Sequence, residues 1–260
     1  KISLIPTIAT YNLSLVAIPA MTASSIFTLT SILLRFSRVK FDFLKISCGV
    51  IASLTAVFMG NLQGFLEFLR INSIGSSGFW QRVCIDGMQN PAINTIDSWR
   101  PTEFWWWFRS SRIINYFGPA CEGQSFDYTI NEFPFFSYLL GDLHPHVMAT
   151  PFVLTFVYIA YDLSKKDLTK PLGIMYWLEV ALAGVMLGCV SFINMWIAPV
   201  CIAIILGIYS LHWLSNSNLN PIKLAKSISL VFFLGALVLL PYLWSFQSSI
   251  DSLSKTQYQT

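Results

Sequence analysis

The sequence predicts an all-α polytopic integral membrane protein with about six transmembrane helices and one long external segment. Three observations carry this expectation. Hydrophobic residues make up 55% of the chain and charged residues 11%, with a mean hydropathy of +0.60, whereas a soluble domain carries about a quarter charged residues. Several apolar runs approach or exceed the roughly 20 residues that a helix needs to cross a bilayer. They are long and uninterrupted rather than short and alternating, and of the two structures that satisfy the backbone in lipid, helix and closed barrel, this pattern selects the helix. The net charge of +3 is small and its basic residues are dispersed, so the chain carries no electrostatic footprint for a nucleic acid.

Taken in order, the runs place spans at 11–34, 46–62, 147–161, 172–192, 197–214 and 227–246 in a single membrane domain, 1–260. The first lies inside a charge-free stretch from Ile2 to Leu34, and the second follows the basic group Arg35, Arg38, Lys40 and Lys45. Lys165, Lys166 and Lys170 separate the third from the fourth, and Lys223 and Lys226 the fifth from the sixth. If every run spans, all three basic loops lie on one side. The positive-inside bias then makes that side cytoplasmic. The external segment 69–146 is thereby expected outside, in the cell membrane's non-cytoplasmic space. The chain starts at Lys1 with no signal-peptide pattern, which reads as a processed or partial chain.

Cys48, Cys189 and Cys201 fall in spans, where cysteine acts as a small packing residue. Cys84 and Cys121 share the external segment, an oxidising setting in which a disulfide between them could brace the loop.

The stretch from Ile130 to Phe152, INEFPFFSYLLGDLHPHVMATPF, sets Glu132, Asp142, His144 and His146 among aromatic and aliphatic residues. Carboxylates and imidazoles beside a bilayer need water, a partner, an ion or a chemical task. Proline disfavours helix at His144, so this segment is a turn or the first turn of a span. An extended Asp-x-His-x-His run would point Asp142, His144 and His146 to one side, a ligand set for a divalent cation such as Mg or Mn. A catalytic acid or base role and a hydrogen-bonded structural turn are the other readings.

In EFWWWFRSSR, from Glu103 to Arg112, the tryptophans suit the membrane interface and suggest an amphipathic helix lying on the outer leaflet. Arg109 and Arg112, at i and i+3 on one face, could clamp a phosphate or pyrophosphate headgroup. In GNLQG, Asn61 and Gln63 could hydrogen-bond a sugar or headgroup; the plainer reading is a helix cap. Asn194, in FINMWIAP, lies on the same expected side as the His-Pro-His turn, whereas Glu179 within the fourth span is expected to face a wet crevice or pair with a neighbouring helix.

The segments YNLSLVAIP, GNLQGFLEF, FWWWFRSSRII, INEFPFFSYLLGDLHPHVMATPF and FINMWIAP resemble, in this order, the tri-tyrosine (YYY) family of very hydrophobic polytopic proteins. That family, of unknown function, is placed with the GT-C superfamily of membrane glycosyltransferases. The resemblance implies a GT-C-like fold and inverting transfer of a sugar from a polyprenyl-phosphate carrier on the non-cytoplasmic face. By position, Asn61, Arg109, Arg112, Glu132, Pro134, Asp142, His144, His146 and Asn194 match the family's polar motifs. The family's acidic Met-Asp motif, DPW segment and tri-tyrosine do not occur in these residues, and its Trp-Asp is lost because Ile197 follows Trp196. In GT-C enzymes the catalytic carboxylate generally lies in the first external loop, so the resemblance leaves the general base open between that upstream part and Asp142 or Glu132. The partners implied are membrane lipid and a polyprenyl-phosphate sugar. A non-catalytic subunit of a larger membrane complex and a lipid or solute transporter are the competing expectations.

Overall fold

The computed structural model describes residues 5–35, 41–83, 85, 87–88, 106–113, 130–215 and 220–245. Among them every regular element is helical and none is a strand. Five helices are long and apolar enough to cross a membrane: α1 (Thr7–Arg35), α6 (Pro145–Leu163), α7 (Ile174–Ile193), α8 (Ala198–Ser215, extended by a 3₁₀ turn from Met195) and α9 (Pro221–Ser245). A sixth span requires a bent pair, α2 (Asp42–Phe58) with α3 (Gln63–Ile71), whose axes differ by 72°. This is an all-α, polytopic, integral membrane protein. The second span expected at 46–62 differs most, since α2 alone has 17 residues and the chain turns at Met59 to Leu62.

The chain divides into two compact units, Lys1–Ala23 with Val39–Leu143, and Ser24–Arg38 with His144–Thr260. In the first, α2 buries the stripe Gly49, Ser53 and Val57, at the i, i+4, i+8 spacing of one helical face. Ser53 Oγ donates 2.9 Å to the Ala23 carbonyl, tying α2 to the first part of α1. The break between α2 and α3 has two local causes. Met59 adopts extended backbone after α2, and Asn61 Oδ1 accepts the Gln63 amide at 3.1 Å, satisfying an orphan donor at the start of α3. Asn61 therefore serves the first amide of the helix that follows, with Leu62 in the cap position itself. The short helices α4 (Ser77–Val83) and α5 (Pro134–Leu140) complete this unit.

The second unit packs α7 against α9, with α6 and α8 alongside α7. Its core is Phe156, Ile159, Leu163, Val180, Leu187, Ile205, Tyr209 and Val231. The α7–α9 contact depends on absent side chains. A Cβ on Gly184 would meet the Val231 carbonyl oxygen at 2.8 Å, and one on Gly188 would meet Val238 Cβ at 2.6 Å. Helices in lipid gain no hydrophobic driving force from one another, so close backbone approach supplies the dispersion energy that holds them. Buried Tyr176 and Ser227 share a hydrogen bond of 2.6 Å across this contact.

After α6, Lys166 bridges Asp162 at 2.8 Å and Glu179 at 2.9 Å. Glu179, the acidic intrusion in α7, is thus paired with a lysine outside the spans. Lys223 Nζ donates to the Leu168 and Lys170 carbonyls at 3.2 and 2.7 Å, closing the same connection.

Candidate functional site

The expected acidic centre is framed by two conformationally special residues. Phe133 is extended and Pro134 occupies the first turn of α5, where its missing N–H is no loss. Gly141 ends the helix at φ +67°, a left-handed conformation that favours glycine. The Asp142 amide then donates to the Ser137 carbonyl at 2.9 Å, so the chain reverses tightly. Tyr11 of α1 fastens this reversal by donating its hydroxyl 2.6 Å to the Gly141 carbonyl. Burial pushes the Tyr138 phenol above its ordinary value. The outcome is that Glu132 and Asp142, ten positions apart, bring carboxylate oxygens within 4.8 Å of each other. Such a pair can share a proton, hold a cation, or divide acid and base roles.

Asp142 lies at the end of the first unit, and His144 begins the second. His144 is extended, at φ −61° and ψ 143°, and precedes Pro145 at the start of α6. Helix begins there, so the expected extended Asp-x-His-x-His run is interrupted at Pro145, and His146 is already helical. The two imidazoles nevertheless stay together, with ring centroids 5.4 Å apart. Covalent connection keeps His144 within two residues of Asp142, a reach of about 7 Å at most.

The arginine run differs from the amphipathic helix expected over Glu103 to Arg112. Among the described residues, helical geometry is confined to a four-residue 3₁₀ turn, Phe108–Ser111, and Arg112 at its end has φ −129°. Arg109 and Arg112 are therefore not presented on one face of a continuous helix. Arg109 Nη1 instead donates 2.7 Å to Glu67 Oε1, while the Arg112 guanidinium lies 4.5 Å from the centre of the Phe108 ring and donates to Ser111 Oγ at 2.9 Å. Gly87, at φ +73°, gives Arg109 its space, since a Cβ there would come within 2.8 Å of Nε.

Glu67 is the residue that sequence reasoning missed. It is 1% exposed and also receives Arg70 Nε at 3.2 Å and Gln63 Nε2 at 2.9 Å. Its signal was the spacing Gln63, Glu67, Arg70 at i, i+4 and i+7, a polar stripe on a short helix otherwise rich in Phe and Leu. Trp80, Ile85 and Met88 pack as a buried apolar cluster beside Leu66 and Leu69 of the same helix.

Bonds to its backbone carbonyls knit the 3₁₀ turn to the rest of the first unit. The Ser110 carbonyl accepts Asn61 Nδ2 at 2.6 Å, and the Ser111 carbonyl accepts the Asn131 amide, next to Glu132, at 2.8 Å. Asn61, Gln63, Arg109 and Glu132 are so drawn into one neighbourhood from positions up to about seventy residues apart. Asn61 and Gln63 line a cleft of about 250 Å³ between Phe58, Trp106, Trp107, Phe133, Phe135, Phe136 and Leu139, with Gly60, Gly64 and Ser110 completing its wall. Asn194, in the second unit, caps the 3₁₀ turn after α7 by accepting the Trp196 amide at 3.1 Å. Cys48, Cys189 and Cys201 are free thiols; the Cys84–Cys121 pair lies outside the described residues, as do Glu103 and Trp105.

A family model described as "Uncharacterized membrane protein (DUF2298)" matches residues 1–260. No curated protein and no solved structure matches the chain.

Proposed function

We propose that this chain, which belongs to the uncharacterized membrane protein family DUF2298, is a membrane glycosyltransferase that takes its sugar from a polyprenyl-phosphate donor on the non-cytoplasmic face. The observation that carries this reading is the convergence of Glu132 and Asp142 within 4.8 Å, on a reversal held by Tyr11 and Gly141. Inverting transfer forms a bond from the acceptor oxygen to the anomeric carbon as the bond from that carbon to the lipid phosphate breaks. The acceptor's proton must leave, and the departing phosphate gains negative charge. One carboxylate of the pair takes that proton, and the other helps to orient the attacking hydroxyl.

Arg112 and Arg109 supply the positive field for the phosphate. Glu67 fixes the plane of the Arg109 guanidinium, which leaves a rigid fork rather than a mobile chain. Within the first unit, Asp142 and Glu132 offer carboxylate oxygens that suit a hard cation such as Mg or Mn. Such a cation would neutralise phosphate charge when bound.

The test is transfer from a short-chain polyprenyl-phosphate hexose to acceptor by the protein in lipid nanodiscs. Asp142→Asn and Glu132→Gln are expected to reduce the rate by about 10²–10⁴-fold; transfer at the parent rate in both variants would refute the scheme. The 72° break between α2 and α3 favours a second reading, transport, because broken spans commonly build transporter sites. Flux of a lipid or solute in proteoliposomes without any transfer would select it. Lipid and partner subunits retained during purification would instead support a structural role in a larger complex.

A further inference from the structure

The aromatic cleft of the first unit has a composition that neither a phosphate nor a lipid chain requires. Trp107, Phe133 and Phe136 form apolar walls, with ring centroids 5.7–5.8 Å apart. The floor is polar. Gln63 is 2% exposed yet lines the cleft. Its amide orientation is fixed, because Nε2 must face the carboxylate of Glu67, which only accepts. That leaves the Gln63 carbonyl oxygen, which no bond engages among the described residues, together with Asn61 at the rim. Aromatic faces carry negative potential and attract the weakly positive C–H bonds of a saturated ring, while an amide carbonyl accepts from hydroxyls. A hydrocarbon tail would match the walls and leave the floor unsatisfied.

We propose that this cleft is a pyranose subsite, seating one sugar ring against the aromatic walls with a ring hydroxyl donating to Gln63. Its volume of about 250 Å³ falls below the roughly 300–1,000 Å³ of sites for larger ligands, which limits the occupant to a single ring. The subsite rests on the transferase reading for its role, and not for its chemistry. The ring can come from the lipid-linked donor or from a free acceptor glycoside.

The experiment uses the protein in nanodiscs free of glycosidic detergent, with saturation-transfer NMR on methyl mannoside, methyl glucoside and a short prenyl-phosphate mannose. Gly64→Leu is the variant chosen to fill the cleft, because Gly64 lines it and a Cβ there meets nothing within 4 Å. Ring protons of the parent's ligand are expected to saturate, and binding is expected to weaken about tenfold or more in Gly64→Leu. Farnesol is expected not to compete. Tighter binding of prenyl-phosphate mannose names the donor as the source, tighter binding of a methyl glycoside names the acceptor, and either supports the subsite. Absence of ring saturation, unchanged binding in Gly64→Leu, or displacement by farnesol overturns it. Ring binding without any transfer removes the transferase reading and keeps the subsite, whereas transfer at the parent rate by Gly64→Leu removes the subsite and keeps the transferase.

Discussion

Glu67 accepts from Gln63, Arg70 and Arg109 while almost wholly buried, and removing its charge leaves two guanidiniums facing a neutral amide. Glu67→Gln is expected to destabilise the first unit by about 3–5 kcal/mol, the cost of breaking a buried pair; equilibrium unfolding in mixed micelles measures it. Outside the spans, hydrogen bonds from the Thr169 hydroxyl and amide, with Lys170 nearby, hold the Asp167 carboxyl down at about 2 against 3.8. A carboxyl with a depressed folded value stabilises above its unfolded value, and that contribution is lost as pH falls from about 3.8 through about 2. Carbon-detected NMR titration should find Asp167 near 2 in the parent and closer to 3.8 in Thr169→Ala. At this scale Glu132, Asp142 and the two histidines were legible, because charge stands out against an apolar stretch. Glu67 was not, since its partner Arg109 lies 42 positions away and only folding reveals the pairing.

Among the elements, α5 and its reversal decide where Asp142 points. Gly141→Ala meets no clash, its Cβ lying 3.7 Å from Leu15 Cδ1, so the substitution isolates the backbone strain at φ +67°. The expected cost is about 1–2 kcal/mol, and transfer is expected to fall with the displaced carboxylate; an unchanged rate would separate the reversal from function. Gly188→Ala tests α7 against α9. Alanine favours helix over glycine by about 1 kcal/mol, yet its Cβ would lie 2.6 Å from Val238 Cβ. We expect net destabilisation of about 1–3 kcal/mol by overpacking, read as a lower thermal midpoint. Proline made the start of α6 legible, as Pro145 fixes its first turn. The break between α2 and α3 was only half legible, because glycine and asparagine announce a cap without giving the angle or saying which helix is capped. The arginine run was misread as a helix because its aromatic and basic pattern suits the interface, whereas contacts with Glu67 and Ser111 set its conformation.

For the whole molecule, composition alone decided the solvent, since 11% charge cannot cover a water-facing surface. The apolar lengths then set the helical class, because lipid allows few other ways to satisfy a backbone. What could not be read was the cleft itself, which gathers Asn61, Gln63 and Ser110 with aromatic residues from far along the chain and depends on bonds to the Ser110 and Ser111 carbonyls rather than on any pattern. The central claim is that this unit handles a lipid-linked sugar. Its most direct test is mass spectrometry of lipids extracted from gently purified protein, beside Arg112→Ala and Asp142→Ala. A polyprenyl-phosphate sugar retained by the parent and depleted in Arg112→Ala is the expected result, and its mass would name the sugar. Bulk phospholipid alone in all three preparations would contradict the claim.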